Sequence, residues 1–217
     1  MDILVAGGHG QIALTLLELL AAEGHRARGL IRKPEQAPAL EARGAVPVLG
    51  DLEQDPSLAP YVEGADAVVF AAGAGPGSGA ARKRTVDLGG AVKLIEAAQQ
   101  TGVRRYVMIS SVGAHNPTAG TGPMRPYLEA KAEADAALAG SGLDWTIVRP
   151  GRLTDDTPTG RVAAGPCLRR RGEITRHDTA AVLAATLRAP NTIGLTFEVL
   201  AGDTPVEDAV AALQSDR

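Results

Sequence analysis

A glycine-rich segment near the start of the chain has the residue types and spacing of a phosphate-binding turn. Residues 7–13 read GGHGQIA, after the apolar run 2–6 and before an amphipathic stretch that ends at Gly24. Gly7 would permit a tight turn, and Gly10 would let the backbone approach a pyrophosphate. The spacing is GxxGxxA rather than GxGxxG, and ordinary turns also collect glycine. The strand–helix context nevertheless favours a dinucleotide site, with the phosphates at the start of the helix.

Within this segment we predict cofactor contacts from a set of five residues. They are Gly7, His9, Gly10, Gln11 and Ile12. For His9, a solvent-facing position in the turn is the favoured interpretation.

The end of the second predicted strand, residues 27–31, indicates which dinucleotide would bind. NAD sites usually carry Asp or Glu there, to bind the ribose hydroxyls. Here the strand is followed by Arg32 and Lys33, and a guanidinium can pair with a 2′-phosphate. This favours NADP(H), although basic residues at a surface are usually only solvated.

Small or polar residues follow the later strands. Asp51, followed by Leu52, could accept a hydrogen bond from an adenine amino group or could cap the next helix. Ala71, Ala72 and Gly73 would leave room for the cofactor to cross the sheet edge. Pro150 ends the sixth predicted strand and would shape the pocket floor near the nicotinamide.

Tyr127 and Lys131 are four residues apart, so on a helix they would share one face. A tyrosine hydroxyl can donate a proton to a carbonyl oxygen that accepts hydride, and a nearby ammonium stabilises the resulting phenolate. The same segment also reads as an ordinary helix start with Pro126 in its first turn. The spacing of Tyr127 and Lys131 is therefore evidence for a catalytic pair only in combination with the other motifs of the chain.

The elements that would position these residues alternate along the chain. Strands are predicted over 2–6, 27–31, 45–49, 66–71, 104–109, 143–148 and 195–200. Helices are predicted over 11–23, 35–43, 56–62, 82–101, 126–139, 178–189 and 205–214. This alternation predicts an α/β fold, a doubly wound parallel sheet of the Rossmann type with a small C-terminal substrate-side region.

Composition agrees with one domain over residues 1–217. The formal net charge is −3, so the chain lacks the excess of positive charge that is typical of nucleic-acid-binding proteins. Cys167 is the single cysteine, which excludes an intramolecular disulfide and fits a cytoplasmic protein. The apolar N-terminal segment lacks a basic n-region, and we interpret it as a buried strand and a helix rather than a signal. We expect no membrane association and no metal.

The chain resembles the short-chain dehydrogenase/reductase superfamily, in its atypical, NmrA-like branch of NAD(P)-dependent epimerases and reductases. The resemblance covers nearly the whole chain. The motifs that carry it are VAGGHGQI at 5–12, GDL at 50–52, VDLGGA at 86–91, ISSVG at 109–113, YLEAK at 127–131, TIVRPG at 146–151 and ITRHD at 174–178. The family implies a Rossmann sheet of about seven strands and NADP binding.

The resemblance also implies a catalytic set. Ser111 matches the family serine, Tyr127 and Lys131 match its YxxxK pair, and Asp87 stands where the family usually has Asn. Lys131 would also bind the cofactor ribose. Asp87 could orient water or Lys131, or could be a solvated helix residue.

Other notable residues have more ordinary interpretations. We expect the basic run 82–84 to form a solvated face, although positive charge at a helix start could also meet a local anion. We expect Asp178 to cap a helix. Trp145 and Cys167 are predicted to pack inside the protein. The run Arg169, Arg170, Arg171 would be exposed or would meet an anionic substrate.

Two functions from different classes remain. The first is an NADP(H)-dependent oxidoreductase or epimerase that acts on a small carbonyl, quinone or flavin-type substrate, as a monomer or small homo-oligomer. The second is a non-catalytic NADP(H)-binding redox sensor that contacts a partner protein. The presence of Ser111, Tyr127 and Lys131 favours the first, and Asp87 with the small substrate region favours the second.

Overall fold

The strands of the computed structural model follow the predicted apolar runs. The structure describes residues 1–75 and 77–214; residues 76 and 215–217 of the predicted domain lie outside that description. The predicted strands are β1 (Asp2–Ala6), β2 (Arg26–Ile31), β3 (Val46–Leu49), β4 (Ala67–Phe70), β5 (Arg105–Ile109), β6 (Asp144–Pro150) and β10 (Leu195–Ala201). Four short strands were not predicted, namely β7 (Arg152–Thr154), β8 (Arg161–Gly165), β9 (Glu173–Thr175) and β11 (Thr204–Pro205).

The helices connect these strands. They are α1 (Gln11–Ala22), α2 (Ala37–Glu41), α3 (Ala59–Val62), α4 (Ala80–Arg82), α5 (Ala91–Thr101), α6 (Met124–Ala139), α7 (Arg176–Arg188) and α8 (Val206–Ala211). The helix predicted over 82–101 contains a π-helical segment, Lys83–Gly90, between α4 and α5. Short 3-10 turns include Val112–His115 and Pro117–Ala119. Across the described ranges, no helix combines the length and apolar character that a bilayer crossing requires.

One sheet holds nine of the strands, in the order β11-β8-β10-β6-β5-β4-β1-β2-β3. Neighbours from β10 to β3 pair in parallel, whereas β8 is antiparallel to β10 and β11. The predicted doubly wound fold is confirmed, and β8 and β11 extend it beyond about seven strands. On one side of β1 the sheet continues with β2 and β3. On the other side it continues with β4, β5 and β6, so the strand order reverses at β1 and β4. The ligand crevice of such a sheet therefore lies at the carboxyl ends of β1 and β4.

Both faces of the sheet are buried, which explains the continuous apolar runs. Along β1, Ile3 and Val5 join the core under α1 and α7, while Leu4 and Ala6 join the core under α5 and α6. Trp145 packs against the second core, as predicted.

Three side chains lie elsewhere than predicted. Cys167 is exposed rather than packed. Asp178 is not the cap of α7, because the cap is Thr175, whose hydroxyl accepts a hydrogen bond from the Asp178 amide at 2.9 Å. The Asp178 carboxylate instead accepts from the Thr159 amide at 3.1 Å and fastens the chain before β8. Lys83, predicted to be solvated, is buried.

Candidate functional site

The glycine-rich turn lies at the carboxyl end of β1, against β2 and β4. Gly7 has φ +83°, and a Cβ there would lie 2.7 Å from the Ala72 Cα, so the fold itself requires glycine. A Cβ at Gly8 would lie 2.8 Å from the Gly29 Cα. At Gly10 the nearest atom to a Cβ would be the Gly7 carbonyl oxygen, at 3.3 Å. A side chain at position 10 would therefore meet less steric conflict than one at position 7 or 8. Gly10 instead borders open space that a ligand could fill.

The start of α1 can bind an anion. The helix begins at Gln11 with Gly10 as its N-cap, and no cap side chain accepts a hydrogen bond from its first amides. These amides and the positive end of the helix dipole are the groups that bind phosphate in dinucleotide sites.

A cavity of about 260 Å³, here called the turn cavity, opens beside the glycine turn. Its lining includes the predicted residues Gly7, His9, Gly10, Arg32, Asp51, Leu52, Ala71, Ala72 and Gly73. It also includes Gln36, Glu53, Arg82 and Val86, which sequence reasoning did not find. Arg32 is exposed at this cavity, while Lys33 and Gln11 do not line it.

The loop after β3 forms one wall of the turn cavity. The Asp51 carboxylate accepts hydrogen bonds from the amides of Glu53 at 2.8 Å and Gln54 at 3.4 Å. This is a local turn and not a helix cap, because α3 begins only at Ala59. Glu53 pairs with Arg82 at 3.4 Å, which ties the loop to α4.

A second cavity of about 390 Å³, here called the tyrosine cavity, continues from the first. The two share Ala71, Ala72, Gly73 and Ala74 in their walls. Besides Ala71, Ala72 and Gly73, the structure brings four further predicted residues to the tyrosine cavity, namely Ile12, Asp87, Tyr127 and Lys131. Lys83, Ile109, Pro123, Met124 and Leu153 also line it and were not predicted.

Lys131 and Asp87 form a buried ion pair in the tyrosine cavity. They are 3% and 1% exposed, and the Lys131 Nζ lies 3.5 Å from Asp87 Oδ1. The Lys131 ammonium also donates to the Ile109 carbonyl at 3.0 Å and lies 5.9 Å from the centre of the Tyr127 ring. Asp87 Oδ2 accepts from the Ala74 amide at 3.1 Å. The interpretation of Asp87 as a solvated residue is therefore wrong, and its orienting role on Lys131 fits this geometry.

Besides Gln11 and Lys33, two further predicted site residues line neither of these cavities. Ser111 is half-buried at the start of the Val112–His115 turn and lines neither cavity. Its neighbour Ser110 donates to Asp135 Oδ2 at 2.8 Å. Pro150 is buried in β6 opposite Val199 and also lies outside both linings.

Asp135 anchors the helix that carries Tyr127 and Lys131. Its carboxylate accepts from the Arg149 guanidinium at 2.8 Å as well as from Ser110, so α6 is tied to β5 and β6. Burial raises the pKa of Asp135, and the Ser110 hydrogen bond and the Arg149 charge partly oppose that increase. The network supports α6 from behind the site.

The two cavities together form one cleft with distinct ends. One end offers free helix amides and the Arg32 guanidinium, which suit phosphates. The other end has mostly apolar walls and holds the Tyr127 phenol and the Lys131 ammonium. The cleft is thus polar at the glycine turn and mostly apolar beside Tyr127.

Comparisons with known proteins agree with this geometry. A family model described as NAD(P)H-binding matches residues 7–190. The uncharacterized sugar epimerase YhfK of Bacillus subtilis is 40% identical over 215 residues, which cover 98% of this chain and 100% of that protein. A solved Bacillus halodurans structure, provisionally named an NAD-dependent epimerase/dehydratase, is 45% identical with TM-score 0.93, covering 97% of this chain and 98% of that one.

A further solved structure widens the comparison. The oxidoreductase ylbE from Lactococcus lactis is 28% identical with TM-score 0.86, and the match covers 97% of this chain and 95% of that chain. The family model and these relatives confirm the resemblance that the sequence motifs indicated.

Proposed function

The chain belongs to the NAD(P)H-binding family of atypical short-chain dehydrogenases/reductases, and from that premise we propose that it is an NADP(H)-dependent oxidoreductase of small carbonyl compounds. The observation that carries the proposal is the placement of Tyr127, Lys131 and Asp87 together in a cavity continuous with the glycine turn. An epimerase would use the same groups, since epimerisation at a carbinol carbon can proceed through a carbonyl.

The cofactor would supply hydride, and this chain would supply position and proton control. The Tyr127 hydroxyl would donate a proton to the oxygen that gains negative charge. Lys131 would stabilise the phenolate left behind, because its ammonium lies beside the tyrosine ring. Asp87 would hold that ammonium in place through the 3.5 Å contact. The apolar walls of the tyrosine cavity would exclude water from the reacting oxygen.

Arg32 supports the choice of NADP over NAD. It follows β2, lines the turn cavity, and makes no ion pair within residues 1–75 and 77–214. Its charge is therefore available to a 2′-phosphate. Lys33 is exposed outside that cavity and would contribute only at longer range.

Ser111 supports a second candidate function, a non-catalytic NADP(H)-binding sensor. In the proposed enzyme Ser111 would hold the substrate oxygen, yet it lines neither cavity. A protein that only binds the dinucleotide needs no such serine. A single cysteine, Cys167, is compatible with a cytoplasmic location for either function. For either function we also propose that residues 1–217 form one domain, which acts on a small molecule or responds to it.

The test is turnover of a panel of aldehydes, ketones and quinones, followed by NADPH absorbance in wild type and Tyr127→Phe. Carbonyl reduction should fall about 10²–10⁴-fold in the variant, because proton donation is lost. NADPH affinity should remain nearly unchanged. Tyr61→Phe is the matched control, since it removes a hydroxyl that contacts Asp55 and not the tyrosine cavity.

Three outcomes separate the hypotheses. No turnover of any acceptor with tight NADPH binding would favour the sensor. Carbonyl turnover that is indifferent to Tyr127→Phe would reject the proton-donor role. Quinone reduction that survives the change would identify a flat acceptor that needs hydride alone.

A further inference from the structure

A third cavity of about 550 Å³ lies beside the start of α6 and is not used by the mechanism above. Its walls come from the two 3-10 turns between β5 and α6, from residues 167–171, and from Glu198 in β10. We call it the arginine cavity, because Arg169, Arg170 and Arg171 line it.

The charges in this cavity favour an anion. The three arginines oppose a single lining carboxylate, Glu198, which leaves a net charge of +2 if His115 is neutral. Within the described ranges none of these arginines forms an ion pair, and Arg170 donates only to the Ala201 carbonyl at 3.4 Å. Their positive charge is thus uncompensated at the cavity.

Glu198 is already engaged and does not neutralise the arginines. Its buried carboxylate accepts from the Leu168 amide at 2.7 Å and lies 3.8 Å from His115 Nδ1. That imidazole nitrogen also lies 2.6 Å from the Val112 carbonyl oxygen. The backbone of Arg169 has φ +50°, a left-handed conformation that residues other than glycine rarely adopt.

One face of α6 joins the arginine cavity to the tyrosine cavity. Met124, Tyr127, Leu128 and Lys131 recur at the three- and four-residue spacing of a helix face. Met124 lines both cavities, Leu128 lines the arginine cavity, and Tyr127 and Lys131 line the tyrosine cavity. The two cavities therefore adjoin at Met124, at the first turn of α6.

We infer that the arginine cavity binds a carboxylate group of the substrate whose carbonyl lies at Tyr127. The inference rests on the proposed function and narrows its substrate to carbonyl compounds that carry a carboxylate. The apolar body of such a molecule lies on Met124 and Leu128, and its carboxylate meets the planar guanidinium groups, which suit bidentate hydrogen bonding.

Binding is tested first, without any need for turnover. Para-toluate and para-toluamide, which differ only in charge and hydrogen bonding, are titrated calorimetrically into wild-type protein saturated with NADP⁺. Toluate should bind roughly tenfold more tightly, and Arg169→Ala/Arg171→Ala should remove that preference. Arg84→Ala/Arg104→Ala removes the same charge from exposed arginines paired elsewhere and is the control, which should keep the preference.

Turnover is tested second, with para-formylbenzoate and its methyl ester. Wild type should show a roughly tenfold higher kcat/KM for the acid, and the Arg169/Arg171 double variant should not. Equal affinity for toluate and toluamide, binding of neither, or the same loss in the control pair would overturn the inference. Arginine-dependent toluate binding with no turnover of either aldehyde or of any acceptor in the panel above would reject the proposed function and leave this subsite standing.

Discussion

The role of Arg32 gives the clearest quantitative prediction. Arg32 is exposed at the turn cavity, and among the described residues it has no ion-pair partner to release. A charge-assisted hydrogen bond contributes about 1.5–3 kcal/mol, and exposure to solvent and salt places Arg32 at the lower end of that range. Arg32→Ala should therefore weaken NADPH binding by about tenfold at low salt, since 1.4 kcal/mol corresponds to a factor of ten.

The assay is calorimetric titration of NADPH and NADH into wild type, Arg32→Ala and Lys33→Ala. NADH affinity should stay nearly constant in all three, because NADH lacks the 2′-phosphate. Lys33→Ala should lower NADPH affinity much less, since Lys33 lies outside the turn cavity. The effect of Arg32→Ala should shrink as ionic strength increases. Equal losses for NADPH and NADH, or equal effects of the two substitutions, would refute the assignment.

Three further predictions concern the cleft and the loop after β3 beside it. Gly10→Val should leave the circular dichroism spectrum native and abolish dinucleotide binding; tight binding by the folded variant would contradict the placement of the phosphates. Asp87→Asn should lower the free energy of unfolding in urea by about 3 kcal/mol, because the buried Lys131 loses its counter-charge. Asp87→Asn/Lys131→Met should recover part of that loss, and additive losses would argue against the pair. Hydrogen bonds from the Asp51 amide and the Tyr61 hydroxyl lower the pKa of Asp55 from its usual value. The stability that Asp55 contributes is therefore present above its unfolded-state pKa and is lost as the pH falls through the lowered folded-state pKa, so Asp55→Asn should flatten the acid limb of a urea-stability profile. An unchanged limb would show that the interaction contributes nothing.

The sequence predicted those parts of the fold that depend on local patterns. Strands such as β1 and β4 are buried on both faces, so their apolar runs are continuous and easy to recognise. Strand β8 is different, because only Val162 of its five residues is buried and no apolar run marks it. Its antiparallel position between β10 and β11 depends on distant partners that no local pattern specifies.

At the site, too, the residues that follow from local patterns were predicted, and those that depend on contacts between distant segments were not. Gly7, Arg32 and Asp51 follow strands directly, and their place at the crevice follows from topology. Glu53 and Arg82 were missed because the loop after β3 and α4 meet there only in the folded chain, and their charges are typical of a solvated surface. Ser111 was placed by motif position alone, although Ser110, one residue earlier, holds the buried hydrogen bond to Asp135. Lys83 was predicted to be solvated because it lies in the basic run 82–84. In the structure it is buried, and its ammonium donates to the Pro123 carbonyl at 3.2 Å.

The central claim is that one cleft runs from the glycine turn to Tyr127 and binds a single NADP(H) along its length. A crystal structure of the protein soaked with NADP⁺ tests it most directly. We predict electron density for the pyrophosphate at the start of α1, for the 2′-phosphate beside Arg32, and for the nicotinamide in the tyrosine cavity near Lys131 and Tyr127. Density that places the nicotinamide away from Tyr127, or the 2′-phosphate away from Arg32, would contradict the account.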